Sequence, residues 1–165
     1  MSKAFTKESD DERDEPARTL PTLPPGTKNY LTADGAKGFR EELERLLEQK
    51  REVTSGGDDA KTKLPVIERR VRQLEENLRA AEVVPTPEQP WEQVRFGATV
   101  RVRDQTAEET RYRIVGVYEM DPDKDWVSWI SPIARALLNR RAGEKVKIKT
   151  PGGERTLEVL EIGYE

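Results

Sequence analysis

The sequence contains neither cysteine nor histidine. That excludes disulfides, thiol nucleophiles, imidazole bases and the ordinary zinc ligands together. A metal ion, if used at all, would have to be a hard cation such as Mg2+ held by carboxylates. Apolar material is also scarce. Of 165 residues, 34% are hydrophobic and 6% aromatic against 37% charged, which points to an elongated or two-part molecule with one or two small cores. Net charge is nearly absent: 29 basic and 32 acidic residues leave −3, so no overall field draws the chain to DNA or to a membrane. No run reaches the roughly 18 apolar residues of a membrane span, and the first residues are charged rather than basic then apolar. A soluble cytoplasmic protein without membrane contact is expected.

What is present divides into segments. Residues 1–29 combine clustered charge with Pro16, Pro21, Pro24 and Pro25 and read as a disordered tail. From Leu31 the texture changes. Thr32 is placed to cap a helix with Asp34 in its first turn, and Leu31 can pack back on Ala36. Phe39, Leu43, Leu46, Lys50 and Val53 then recur at spacings of four and three, a narrow seam. A second helix, read from Leu64 to Val84 with Pro65 in its first turn, repeats the seam with Ile67, Val71, Leu74, Leu78 and Ala81. Residues 30–84 are thus expected to form an antiparallel two-helix coiled-coil hairpin whose tip, residues 54–63, carries "TSGGDDAKTK". Asp58 and Asp59 there either cap the second helix or stand out as a carboxylate pair.

Residues 85–94 hold three prolines and read as a linker. Beyond it, "ATVRVRD", "RYRIVGVYE", "KVKIKT" and "RTLEVLEI" alternate with period two, and "SPIARALLNRRAGE" has the capped start and apolar spacing of a short helix. Residues 95–165 are therefore expected to be a small antiparallel sheet carrying one helix, and the chain as a whole α+β. Trp126 and Trp129, three apart in an extended run, should face opposite ways, leaving one partly exposed.

The strings "LTADGAKGFREELERLL", "VRFGATVRV" and "YRIVGVYEMDPDKDWVSWISPIARALL", followed by "GE" and "TPGGE", resemble the bacterial Gre transcript-cleavage factors, nearer the GreB side, over about residues 30–165. The resemblance implies a coiled-coil hairpin followed by an FKBP-like domain, the fold of FK506-binding proteins. It implies a transcription elongation factor whose second domain docks on the rim of the RNA polymerase secondary channel. The hairpin would then present tip carboxylates, here Asp58 and Asp59, to a Mg2+ shared with the polymerase. Two carboxylates suit a hard cation that activates water. Catalysis would remain the polymerase's, so the chain is expected to be an accessory and not an enzyme, with no cofactor of its own. Nucleic acid would be met only inside the elongation complex, and a monomer is expected. The docking patch falls on Trp129, Ile130, Ser131, Pro132, Ile133 and Arg135.

The sequence departs from the family at three places. The family's tip reads Gly-Asp-x-x-Glu-Asn, whereas Gly57-Asp58 is followed by Asp59, Ala60, Lys61 and Thr62, with a lysine where a glutamate is usual. Each arm is shorter than the family norm by about two turns, roughly 10 Å of reach. Ile130 stands where the GreB side has an aspartate. These departures imply, as an alternative, a non-cleaving channel competitor or a regulator like the short-hairpin Rnk proteins. A peptidyl-prolyl isomerase, suggested only by the fold of the second domain, ranks lower because fold does not carry function.

Overall fold

The computed structural model describes residues 21–165, so most of the expected tail lies outside the described residues. Two 22-residue helices, α1 (Ala33–Thr54) and α2 (Asp59–Ala80), form the antiparallel hairpin. Thr32 caps α1 as its sequence predicts, its Oγ1 accepting from Gly35 N at 2.9 Å, and Leu31 and Ala36 are buried behind the cap. Ile67, Val71 and Leu74 are buried along the seam, while Phe39, Leu43, Leu46 and Val53 are half-buried, as suits a two-helix hairpin with only one sheltered side. The arms are also pinned by polar contacts. Arg70 donates to both oxygens of Glu42 at 2.7 and 2.9 Å, and Lys50, inside the seam, reaches Glu68 at 3.0 Å. A forked guanidinium and carboxylate pair fixes register as well as adding energy.

Two boundaries differ from the sequence expectation. First, α2 starts at Asp59, so Pro65 lies inside the helix and the turn proper shrinks to Ser55–Asp58. Second, α2 stops at Ala80. Residues Ala81–Val84 form strand β2, which runs parallel to β1 (Asn29–Thr32) with Asn29 opposite Ala81 and Thr32 opposite Val84. Val83 and Val84 favour extended backbone, and Val84 precedes Pro85, whose ring disfavours the helical conformation at the residue before it. The first strand begins within the segment read as tail. Asn29 is buried and its amide donates to the carbonyl of Asn77 at 3.1 Å, tying this strand to the end of α2.

The C-terminal part holds β3 (Ala98–Asp104), β4 (Glu109–Val115), β5 (Trp126–Ser128), α3 (Pro132–Leu137), β6 (Lys145–Thr150) and β7 (Gly153–Tyr164). The sheet order is β5-β4-β3-β7-β6. The pairings β3–β4, β3–β7 and β6–β7 are antiparallel as expected, but β5 lies parallel to β4. Two 3₁₀ turns, Val117–Glu119 and Pro122–Lys124, carry the chain back before it re-enters the sheet edge. They also replace the last residues read as a strand. One sheet face buries Val100, Val102, Ile114, Val146, Leu157 and Val159 against Ala134 and Leu137 of α3. The other is charged and internally paired, with Arg101 between Glu109 and Glu161 at 2.9 and 3.1 Å and Arg103 on Glu158 at 3.1 Å.

Asp104 organises the β3–β4 turn. Its Oδ1 accepts from Thr106 N, Thr106 Oγ1 and Glu108 N at 2.8, 2.7 and 3.1 Å, and its Oδ2 from Arg155 at 2.8 Å. The Thr106 hydroxyl first, then the Arg155 guanidinium, hold this carboxyl at about 2. A depressed pKa stabilises the fold above the ordinary carboxylate range, and that contribution is lost as pH falls through about 2. We expect the Thr106 and Glu108 amide resonances to titrate with a midpoint near pH 2, and Asp104→Asn to remove that transition; a midpoint near 4 would contradict the turn geometry.

Candidate functional site

The tip is built from backbone. Ser55 N–H bonds the carbonyl of Glu52 and Gly56 N–H that of Val53, both at 3.1 Å, closing α1. Gly57 then turns the chain with φ +51°, a conformation that suits a residue without Cβ, and its carbonyl accepts from Ala60 N–H at 3.2 Å to start α2. Thr54 and Ser55 turn their hydroxyls back onto the carbonyls of Lys50 and Arg51. Asp58 occupies the position before α2 but has helical dihedrals, φ −64° and ψ −28°, and makes no capping hydrogen bond. Its exposed carboxylate is therefore not consumed by the turn. Nothing is described of the Asp59 side chain. Lys61, Thr62 and Lys63 are exposed on the next turn.

Among the described residues no three carboxylates gather into a metal-binding group. Mg2+ demands near-octahedral oxygen coordination, of which Asp58 by itself would supply only a part. The tip can offer individual ligands to an ion held by something else.

The six residues expected to dock differ in exposure. Pro132 and Arg135 are exposed, and Ile130 is half-buried. Ser131 spends its hydroxyl on the start of α3, accepting from Ala134 N at 3.3 Å. Ile133 packs on the sheet core. Trp129 also turns inward, packing against that core and meeting Tyr30 edge-on with ring centroids 5.1 Å apart. Trp126, equally half-buried, lies beneath Arg113 and Lys124 at 4.9 and 4.8 Å. The most open part is a ledge of Ile130, Pro132 and Arg135, with both indoles half-buried.

Sequence reasoning missed the junction between hairpin and sheet. Tyr30 packs between Phe96 and Trp129. Arg113, its side chain 8% exposed, stacks on Trp126 and bonds Asp34 in the first turn of α1 at 3.2 Å. Glu119, 7% exposed, accepts from Gly116 N at 2.8 Å in its own domain and from Thr32 N at 3.1 Å in the hairpin base, and Thr32 Oγ1 donates to its other oxygen. A usable signal was the Gly116-x-x-Glu119 spacing, where a glutamate ends an otherwise apolar run.

A family model described as "Transcription elongation factor, GreA/GreB, C-term" matches residues 88–164. Transcription elongation factor GreB of Yersinia pestis is 37% identical over 153 aligned positions, covering 82% of this chain and 89% of that protein. Transcription elongation factor GreA of Halorhodospira halophila is 37% identical over 157 positions, covering 84% and 99%. In each alignment the covered share of 165 residues falls about 18 short of the aligned positions, so about 18 positions of each relative face no residue here. A crystal structure of Gfh1, a GreA factor homolog of Thermus thermophilus, is 27% identical, covering 83% of this chain and 99% of that one with a TM-score of 0.40, at which the likeness carries no weight for the arrangement of parts.

Proposed function

The chain belongs to the GreA/GreB family of transcription elongation factors, and from that membership we propose that it binds RNA polymerase, enters the secondary channel and modulates elongation mainly by occupying it. The ledge of Ile130, Pro132 and Arg135 docks on the channel rim. The hairpin, about 33 Å per arm at 1.5 Å per residue, is the inserted probe. The observation that carries occupancy over cleavage is the tip sequence, in which Lys61 follows Asp58 and Asp59 where the family has a glutamate, with no converging group of acids among the described residues. A cation beside a would-be Mg2+ site opposes metal binding. The positions that relatives have and this chain lacks agree with arms two turns short. If Mg2+ takes part, the polymerase holds it, and Asp58 and Asp59 are at most added ligands. On this reading the protein acts as a monomer in the cytoplasm, has no cofactor of its own and touches nucleic acid only within the elongation complex.

The test is transcript cleavage in backtracked complexes of the cognate polymerase, with a polymerase pull-down in parallel. We expect wild type and the Asp58→Ala, Asp59→Ala double variant to be captured equally, and neither to shorten the transcript. Both should slow cleavage stimulated by a second, cleaving factor added in competition. Shortened RNA with wild type that disappears with the double variant would replace occupancy with metal-ligand donation. Failure of capture would remove the polymerase reading altogether.

A further inference from the structure

Glu119 is 7% exposed, and it lies at neither the tip nor the ledge. Glu119 sits between the two parts and takes donors from both: Gly116 N–H on the sheet side, Thr32 N–H and Oγ1–H on the hairpin side. Thr32 Oγ1 in turn accepts from Gly35 N–H at 2.9 Å, so the contact continues into the first turn of the 22-residue α1. That end of a helix has unpaired N–H groups and a positive partial charge, which favour an anion. Two glycines make the approach possible. A Cβ on Gly35 would overlap the Glu119 carboxylate, and a Cβ on Gly116 would overlap the carbonyl of Tyr30.

A buried carboxylate is tolerated only while its hydrogen bonds are made. Because the donors come from both parts, any swing of the hairpin strands the charge. The neighbouring contacts do not impose this to the same degree: Asp34, the hairpin partner of Arg113, is 64% exposed, and ring contacts tolerate sliding. We infer that Glu119 is the positioning residue that fixes the angle at which the hairpin leaves the sheet domain. The angle matters because the arm is long. At about 33 Å, a tilt of roughly 10° at the base displaces the tip by roughly 6 Å, more than a whole helical turn.

The absence of cysteine makes the angle directly measurable, since Thr62→Cys on α2 and Lys149→Cys on β6 accept one spin label each and nothing else does. Electron-electron distance measurements on the labelled full chain should give one narrow distribution. Glu119→Ala should at least double its width or shift its mean, with Glu119→Gln between the two because an amide oxygen still accepts from N–H. Circular dichroism confirms that the variant is folded. If Glu119→Ala does not fold, Gly35→Ala is read instead, since it evicts the carboxylate from the hairpin side and leaves the Gly116 bond. A narrow, unshifted distribution in the folded variant overturns the inference.

The effect on polymerase rests on the proposed function, whereas the angle does not. If only the latched fraction binds, the apparent Kd rises as the inverse of that fraction, twofold when half remains latched. Unchanged affinity with a broadened distribution would overturn the link from angle to polymerase binding and leave the positioning role standing. A wild type that fails to bind polymerase would remove the channel reading while leaving the distance result standing.

Discussion

Gly116→Ala is expected to lower the thermal midpoint by about 10 °C, the largest loss we anticipate from adding a single methyl group. The backbone is not the reason. At φ −65° and ψ 161° any residue could stand there. The reason is space: the new Cβ would overlap the Tyr30 carbonyl and come within 2.7 Å of a Glu119 oxygen. Relief requires β1 to move off the sheet domain, taking Tyr30 away from Phe96 and Trp129 and Thr32 away from Glu119. Overpacking costs about 1–3 kcal/mol and leaving a buried acceptor short of partners about as much again. For a chain of this length each kcal/mol is worth roughly 2–4 °C. The control is Gly38→Ala in the exposed interior of α1, where a Cβ meets nothing within 4 Å. It should raise the midpoint by about 2 °C, because alanine is the better helix former by roughly 1 kcal/mol. Equal behaviour of the two alanines in a melting experiment would show that the junction is not tightly packed.

Leu137→Ala should cost about 2–5 kcal/mol, read as a lower urea midpoint with an unchanged slope. Leu137 is fully buried, and α3, six residues long, is too short to persist without its packing. Ala134 and Leu137 are its only fully buried residues, and Pro132 and Arg135 project from the same helix on the exposed side. Loosening α3 should therefore weaken capture of polymerase as well as the fold. A loss below about 1 kcal/mol would mean that the ledge is held from elsewhere, since burial of a leucine is ordinarily worth more.

What the sequence made legible was whatever is repeated locally. The seam of α1, the Thr32 cap and the two strands β3 and β6 follow from spacing over a few residues, and the structure places them where the spacing does. What it concealed depends on distant partners. Residues Ala81–Val84 look helical because Ala81 continues the seam and Glu82 is a good helix former; the extended conformation comes from Val83-Val84-Pro85 and from pairing with a strand some 50 residues earlier. Glu119 reads as the polar end of a strand until Thr32, 87 residues away, is brought to it. Trp129 has the residue type of a contact anchor, and nothing local announces its edge-on contact with Tyr30. At the tip the residues were visible and their use was not. Asp58 has the sequence position of a cap, yet its helical dihedrals point its carboxylate elsewhere.

The two-stranded ribbon at the hairpin base carries a consequence for how such molecules can vary. Because Asn29 is held beside Ala81 and Thr32 beside Val84, the chain leaves and rejoins the base at one fixed gate, whatever lies between. Excising seven residues from each arm would shorten the probe by about 10 Å while rotating each seam by only about 20°, so the remaining contacts stay in phase. Arm length is thereby uncoupled from the rest of the architecture. Insertions and deletions in paired multiples of seven become a neutral dial for reach, leaving the gate, the Glu119 clasp and the sheet domain untouched.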